Sequence, residues 1–233
     1  MNDDGQIASL IAALDHADKP TIRAAVDALI ALAPASTDLQ RLLHQRLTED
    51  GHKNYWPVAY ILGHLCPPSR ECIGSLIEAL DHREPDIRWA IALLLTRIAK
   101  SESAVVALLI ELNDTGTANQ RRMAIYCLRD LALDDPDSLA ALVKSLRDLD
   151  PTVRVAGVTS LKSRADVAAA TREALLQTYL NDEDLRVRNA AAVTLASFGS
   201  PAEEFVQALS AASKSSNAQA KKAAEAALKL LQK

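Results

Sequence analysis

Residues suited to molecular recognition are concentrated in one part of this chain. Five of the eight aromatic residues lie between positions 55 and 126, with arginines close by. Aromatic and arginine side chains supply much of the binding energy at protein interfaces, and a spacing of four places side chains on one helix face. The pattern predicts a binding patch; the alternative is ordinary packing between helices. The predicted patch, called the aromatic–arginine patch below, consists of Trp56, Tyr60, His64, Trp89, Arg97, Arg122, Tyr126 and Asp130.

Residues that could catalyse a reaction or hold a metal lack the partners that such chemistry requires. His64, Cys66 and Cys72 could ligate zinc in principle, but no C-x-x-C pair supports such a site. His16 and His82 occupy equivalent positions two repeats apart, and stacked helices are separated by roughly 8–10 Å each, so the two cannot share one ion. No Walker sequence or dinucleotide fingerprint is present. We therefore predict no catalytic residue, no metal site and no cofactor.

The elements that must position the patch recur every 32 to 34 residues. Each period contains a turn, usually acidic, then a basic residue, then a run of small and aliphatic residues. The basic position is occupied in order by Arg23, Tyr55 (a degenerate member), Arg88, Arg121, Arg154, Arg188 and Lys221. A fixed period of this size is typical of a solenoid, in which each unit contacts only its neighbours. The sequence predicts one domain over residues 1–233.

Each period is predicted to form two helices. Residues 7–14 and 73–80 carry aliphatic side chains at i, i+3, i+4 and i+7, which is typical of an amphipathic first helix. Second helices are predicted to begin at Pro20, Pro85 and Pro151, because proline is tolerated in the first turn. Asp150 and Asp184 are the predicted N-caps of two of them. The approximate units are 4–35, 36–67, 68–100, 101–133, 134–166, 167–199 and 200–233.

Within a second helix, distance from the basic residue predicts which side faces the core. Positions +3, +7 and +10 are predicted to be buried, and positions +1, +5 and +9 to point outward. In the third unit the outward row is Trp89, Leu93 and Arg97. The second unit departs from the pattern because Pro57 falls where its helix should already be under way, so that helix is predicted to start late or to be kinked.

The second-helix pattern V-R-x-x-A-A-x-A-L resembles that of HEAT repeats, and in particular the bacterial HEAT-like group that includes phycobilisome lyase subunits. It is carried by residues 87–95 and 187–195, and more loosely by residues 153–158. The resemblance implies an all-α solenoid of about seven two-helix repeats, with second helices on the concave face. It also implies a structural ladder between neighbouring units, formed by Arg88, Arg121, Arg154 and Arg188 with Asp81, Asp114, Asp148 and Asp182.

Composition limits the functions that remain. Apolar residues make up 49% of the chain and aromatic residues only 3%, which predicts a core of small and aliphatic side chains. A formal charge of −4 argues against a general nucleic-acid binder. The chain has three cysteines, and its acidic start does not resemble a secretory signal. No apolar run comes near the roughly 20 residues that a membrane span requires. These features predict a cytoplasmic protein. The sequence does not define the oligomeric state; a monomer is the default expectation.

Two classes of function remain open. The first is a non-enzymatic scaffold that binds another protein or peptide segment on its concave face. The second is a HEAT-like enzyme or enzyme subunit, resembling either the bilin lyases or the alkylpurine DNA glycosylases. In the glycosylase resemblance, Asp130 near Trp89 and Tyr126 would stand for the acidic residue of an aromatic groove. The sequence favours the scaffold.

Overall fold

In the computed structural model, residues 3–49, 56–65, 67–133, 135–162, 169–198 and 203–231 are described here. Tyr55 and Cys66 lie outside these ranges. The described ranges contain fourteen α-helices and no strand, which confirms the all-α prediction. The chain divides into two compact units, residues 1–107 and 108–233, and the division falls within the helix Ser103–Thr115.

The fourteen helices follow one another as seven pairs, one pair in each predicted repeat. In the first unit and at its boundary they are α1 (Asp3–Ala13), α2 (Lys19–Leu32), α3 (Thr37–Thr48), α4 (Trp56–Leu62), α5 (Arg70–Ala79), α6 (Pro85–Ala99) and α7 (Ser103–Thr115). In the second unit they are α8 (Ala118–Leu131), α9 (Pro136–Lys144), α10 (Pro151–Leu161), α11 (Ala169–Asn181), α12 (Leu185–Ser197), α13 (Glu203–Ala212) and α14 (Ala218–Leu231).

Helix starts follow the predicted chemistry. Asp150 accepts a hydrogen bond from the backbone amide of Thr152, and Asp184 accepts one from Arg186, so both predicted N-caps are confirmed. The three prolines lie in the first turns of α2, α6 and α10. There the missing N–H is one that no helical carbonyl would accept. Caps and prolines therefore mark the starts of α2, α6, α10 and α12.

The core consists of aliphatic side chains packed between closely spaced helices. At positions +3, +7 and +10 of α6, Ile91, Leu95 and Ile98 are fully buried, as predicted. A close approach lies in the second unit, where α10 packs on the 3₁₀ turn Ser145–Arg147 that follows α9. A Cβ atom at Gly157 would lie 2.0 Å from Ser145 Oγ, so only glycine fits there without displacement.

The second helix of the second repeat is short, and the residues just before it, where the sequence predicts a late start, lie outside the described ranges. This helix, α4, has seven residues, whereas α2 and α6 have 14 and 15. In the same unit, Lys19 and Arg23 near the start of α2 form ion pairs with Asp86 near the start of α6, and Lys19 also pairs with Glu84. The starts of α2 and α6 are therefore tied directly together, although they belong to the first and third repeats.

None of the described helices is long and apolar enough to cross a bilayer.

Candidate functional site

The outward row of α6 contains Trp89 and Arg97 of the aromatic–arginine patch, with Leu93 between them, and all three are exposed. Trp89 is 40% exposed and Leu93, one helical turn further on, is 61% exposed. Arg97 follows on the same face and donates from Nη2 to the carbonyl oxygen of Gly63 at 3.1 Å. Because Ile91 and Leu95 on the opposite face are fully buried, exposure here is not a result of a loosely packed helix.

The patch residues of α4 are half-buried rather than fully outward. The Trp56 ring packs edge-on against His82, with ring centroids 6.1 Å apart. The rings of Tyr60 and His64 lie 4.7 Å apart, and His64 Nδ1 is 2.8 Å from the Tyr60 carbonyl oxygen. The predicted outward direction is therefore only partly met, because Trp56 leans on the turn before α6 and Tyr60 and His64 pack on each other.

Two charged side chains, one from α6 and one from α2, act on the Tyr60 phenol. Burial raises the pKa of Tyr60 above its ordinary value; nearby Arg97 opposes the rise and Asp27 adds to it. Tyr60 of α4 thus lies close to a cation of α6 and an anion of α2. Asp27 was not predicted as part of the patch. Counted from Arg23, Asp27 is at position +4 of the first repeat, next to the outward position +5. This placement is the sequence signal that could have identified it.

Three patch residues belong to α8 in the second unit. Arg122 Nη2 donates to Asn119 Oδ1 at 3.1 Å, and Arg129 lies over the ring of Tyr126 at 4.8 Å from its centroid. Arg129 also donates to Asp130 at 2.6 Å, and this carboxylate raises the pKa of Arg129. The Asp130 carboxylate is therefore ion-paired with its neighbour in the chain, Arg129.

Arginines of the predicted ladder form bidentate ion pairs in the second unit. Arg121 donates from Nε and Nη2 to the two carboxylate oxygens of Asp148, at 2.7 and 2.8 Å. Arg154 binds Asp182 in the same way, at 2.8 and 2.9 Å. We call such a pair, which joins one second helix to the turn of the next repeat, an Arg–Asp rung.

Each of these arginines also holds its own turn. Arg154 Nη1 donates to the carbonyl oxygens of Asp148 and Leu149, and Arg121 Nη1 donates to Gly116. Arg88 and Arg188 repeat this contact, each with the carbonyls six and five residues before it. The guanidinium group is therefore fixed in orientation before any carboxylate binds it.

The remaining ladder carboxylates have other surroundings. Asp114 forms an ion pair with Lys144 of α9, and Asp81 is exposed in the turn before α6. Asp114 thus pairs with a lysine instead of the arginine of a rung.

Reactive side chains in the described residues are buried or isolated. Burial raises the pKa of the Cys72 thiol to about 12, and its Sγ donates to the Ala59 carbonyl oxygen at 3.3 Å. Cys127 is also buried. Within the described ranges, no three His, Cys, Asp or Glu side chains come together as metal ligands would.

Two-helix repeats with this packing define the fold as an α-solenoid of the HEAT- and armadillo-like class. Residues 139–229 match the family of HEAT repeats, which confirms the predicted resemblance there. The chain is also similar in structure to YibA of Escherichia coli. That similarity has a TM-score of 0.57 at 16% identity and covers 98% of this chain and 93% of that one.

Two further solved structures are similar over most of the chain. One is the complex of CpcE and CpcF of phycocyanin lyase from Nostoc sp. PCC7120, with 18% identity, a TM-score of 0.41, and coverage of 97% of this chain and 94% of that one. The other is a computationally designed armadillo repeat protein for modular peptide recognition, with 16% identity, a TM-score of 0.45, and coverage of 83% and 100%. No curated protein sequence matches the chain.

Proposed function

We propose that this protein is a non-catalytic scaffold that binds a segment of another protein on the face formed by its second helices. In this proposal residues 1–233 act as a single domain in the cytoplasm. The observation that carries it is the outward row of α6, where Trp89 and Leu93 are exposed next to each other on a well-packed helix. Exposing two large apolar side chains has no benefit for folding, but it suits an interface core.

The chemistry around this row favours a peptide with both apolar and polar groups. Trp89 and Leu93 offer apolar contact area, the half-buried Tyr60 supplies an aromatic ring, and Arg97 and Asp27 supply charges that act on its phenol. An apolar side chain of the partner would pack on α6, and its neighbours would meet a cation and an anion at fixed positions. In this proposal Arg122, Tyr126 and Asp130 of α8 are further binding residues, contributed by the second unit.

The proposal is tested by a double substitution, Trp89→Ala with Leu93→Ser, combined with affinity capture and direct binding. The matched control is Leu185→Ser, because Leu185 is 59% exposed on α12, outside the patch. We expect the control to retain the partner of the unmodified protein and the double variant to bind it at least about 30-fold more weakly, as for interface hot spots.

Helix content measured by circular dichroism must be unchanged in both variants, so that loss of binding is not loss of folding. If the double variant binds every partner as well as the unmodified protein does, the row of α6 is not a binding surface. The proposed function then fails.

A further inference from the structure

The Arg–Asp rungs of the second unit stop one repeat before its end. Arg121 binds Asp148 and Arg154 binds Asp182, at separations of 27 and 28 residues. The next arginine in the series is Arg188, and the residue 27 positions after it is Ser215. A serine therefore stands where the two earlier repeats have an aspartate.

Backbone hydrogen bonds show that Ser215 is the structural equivalent of those aspartates. Asp148 and Asp182 each accept a hydrogen bond from the amide two residues later, at 2.8 and 2.9 Å. Ser215 Oγ accepts the same bond from the amide of Asn217, at 3.1 Å. The turn before α14 thus keeps the geometry of the earlier turns and lacks only the carboxylate.

Arg188 is oriented like Arg154 but has an open edge. Its Nη1 donates to the carbonyl oxygens of Asp182 and Glu183, at 2.7 and 3.1 Å. Its Nε and Nη2 atoms, which would form the rung, have no partner among the described residues. The fork is thus preorganised to bind two oxygens of one anion.

Carboxylates close to Arg188 in the chain already have partners. Asp182 and Glu183 pair with Arg154, and Asp184 pairs with Arg186. Gln219 at the start of α14 donates to the same Asp182 oxygen as Arg188 does, which places that helix beside the fork. The same end of the unit has exposed lysines that form no ion pair with any described residue, Lys214, Lys221 and Lys222; Glu225 is the one acidic side chain on α14.

From this arrangement we infer that the open fork of Arg188 is a binding site for a carboxylate of a partner protein, supplied by an Asp or Glu in an acidic segment. The partner's carboxylate completes the missing rung by accepting from Nε and Nη2, and the three lysines attract the acidic residues around it. This site is independent of the outward row of α6, so either proposal can fail without the other.

Binding is measured with a blocked peptide of alternating Asp and Gly residues; the matched Asn–Gly peptide and inorganic phosphate are the other probes. The ¹⁵Nε–H signals of the arginines report the contact directly. We expect the Arg188 signal to shift with the acidic peptide only, and the signals of Arg121 and Arg154 to stay in place because their rungs are closed.

Three variants separate the fork from general charge. Arg188→Gln removes it, Ser215→Asp fills it from within the chain, and Arg147→Gln changes net charge as much as Arg188→Gln at an exposed arginine, one repeat away, that forms no ion pair with any described residue. We expect the first two to weaken binding of the acidic peptide by about tenfold or more and the third to leave it nearly unchanged.

Equal binding by the Arg188→Gln and Arg147→Gln variants would overturn the inference, because attraction by charge alone would then explain it. Undiminished binding by the Ser215→Asp variant would also overturn it, and this variant does not depend on loss of the Arg188 side chain. A shift of Arg188 with phosphate but not with the acidic peptide would mean that the fork holds an adventitious ion only, and the inference would again be wrong.

Discussion

The two units of this chain use the same helical hairpin but secure its turns differently. In the second unit, Arg121 and Arg154 each hold the aspartate of the next turn, 27 or 28 residues later. In the first unit, the described ion pairs between second-helix starts run from Lys19 and Arg23 to residues 63 to 67 positions later. The short helix α4 lies between these two starts in sequence.

The difference shows that the repeat motif determines the hairpin, whereas the ties between hairpins depend on local helix length. Arg154 and Asp182 are only 8% and 6% exposed, so their pair is shielded from water. Arg23 and Asp86 are 60% and 44% exposed, so water and salt weaken their attraction. Rungs of the second unit should therefore matter for stability much more than the surface pairs of the first.

The largest expected effect comes from removing one member of a buried rung. Asp182→Ala leaves the Arg154 guanidinium buried without its carboxylate and removes the acceptor of the Asp184 amide. We expect the free energy of unfolding to fall by about 3 kcal/mol, measured by urea denaturation. The matched control is Asp86→Ala in the first unit, which should change stability little because its ion pairs are exposed. Equal losses for both variants would contradict the distinction between the units.

A smaller effect is expected from adding one methyl group at a helix contact. In Gly157→Ala the new Cβ would meet Ser145 Oγ, whose own hydrogen bond to the Leu142 carbonyl would then be displaced. We expect a net loss of about 1–2 kcal/mol in thermal or urea unfolding, after the gain in helix propensity is subtracted. Gly74→Ala on α5 of the first unit is the matched control, since nothing lies within 4 Å of its added Cβ. That variant should be slightly stabilised, and a loss there would show that crowding is not the cause.

The smallest expected effect is a difference in titration between equivalent N-caps. Hydrogen bonds from Arg186 lower the pKa of Asp184 to about 2, and hydrogen bonds from Thr21 lower the pKa of Asp18. Each carboxylate stabilises the fold above its unfolded pKa, and this contribution is lost as the pH falls through the lower folded pKa. In a carboxyl ¹³C titration, added salt should raise the pKa of Asp184 more than that of Asp18, because the partner of Asp184 is an exposed cation. An ordinary pKa for Asp184 at low salt would contradict the Arg186 contact.

Much of the fold could be predicted because its signals are local. Asp150, Asp184 and the prolines mark helix starts through contacts within two or three residues, and the aliphatic positions of α6 follow from helical spacing alone. The contact of Trp56 with His82 could not be predicted, because it depends on how α4 leans toward the turn before α6. The pairs that skip a repeat were missed for the same reason. Ser215, by contrast, could have been found by aligning the turns at a separation of 27 residues.

Helix α4 also has a consequence for how the chain folds. Seven residues are too few for a helix to persist alone in water, and five of them, Pro57, Val58, Ala59, Ile61 and Leu62, are buried. Its order must therefore come from α2, α3 and α5, which surround it. In a repeat protein, order spreads from one hairpin to the next. The second hairpin cannot start that spread, so we expect it to be acquired after its neighbours during folding and to open before them under denaturant.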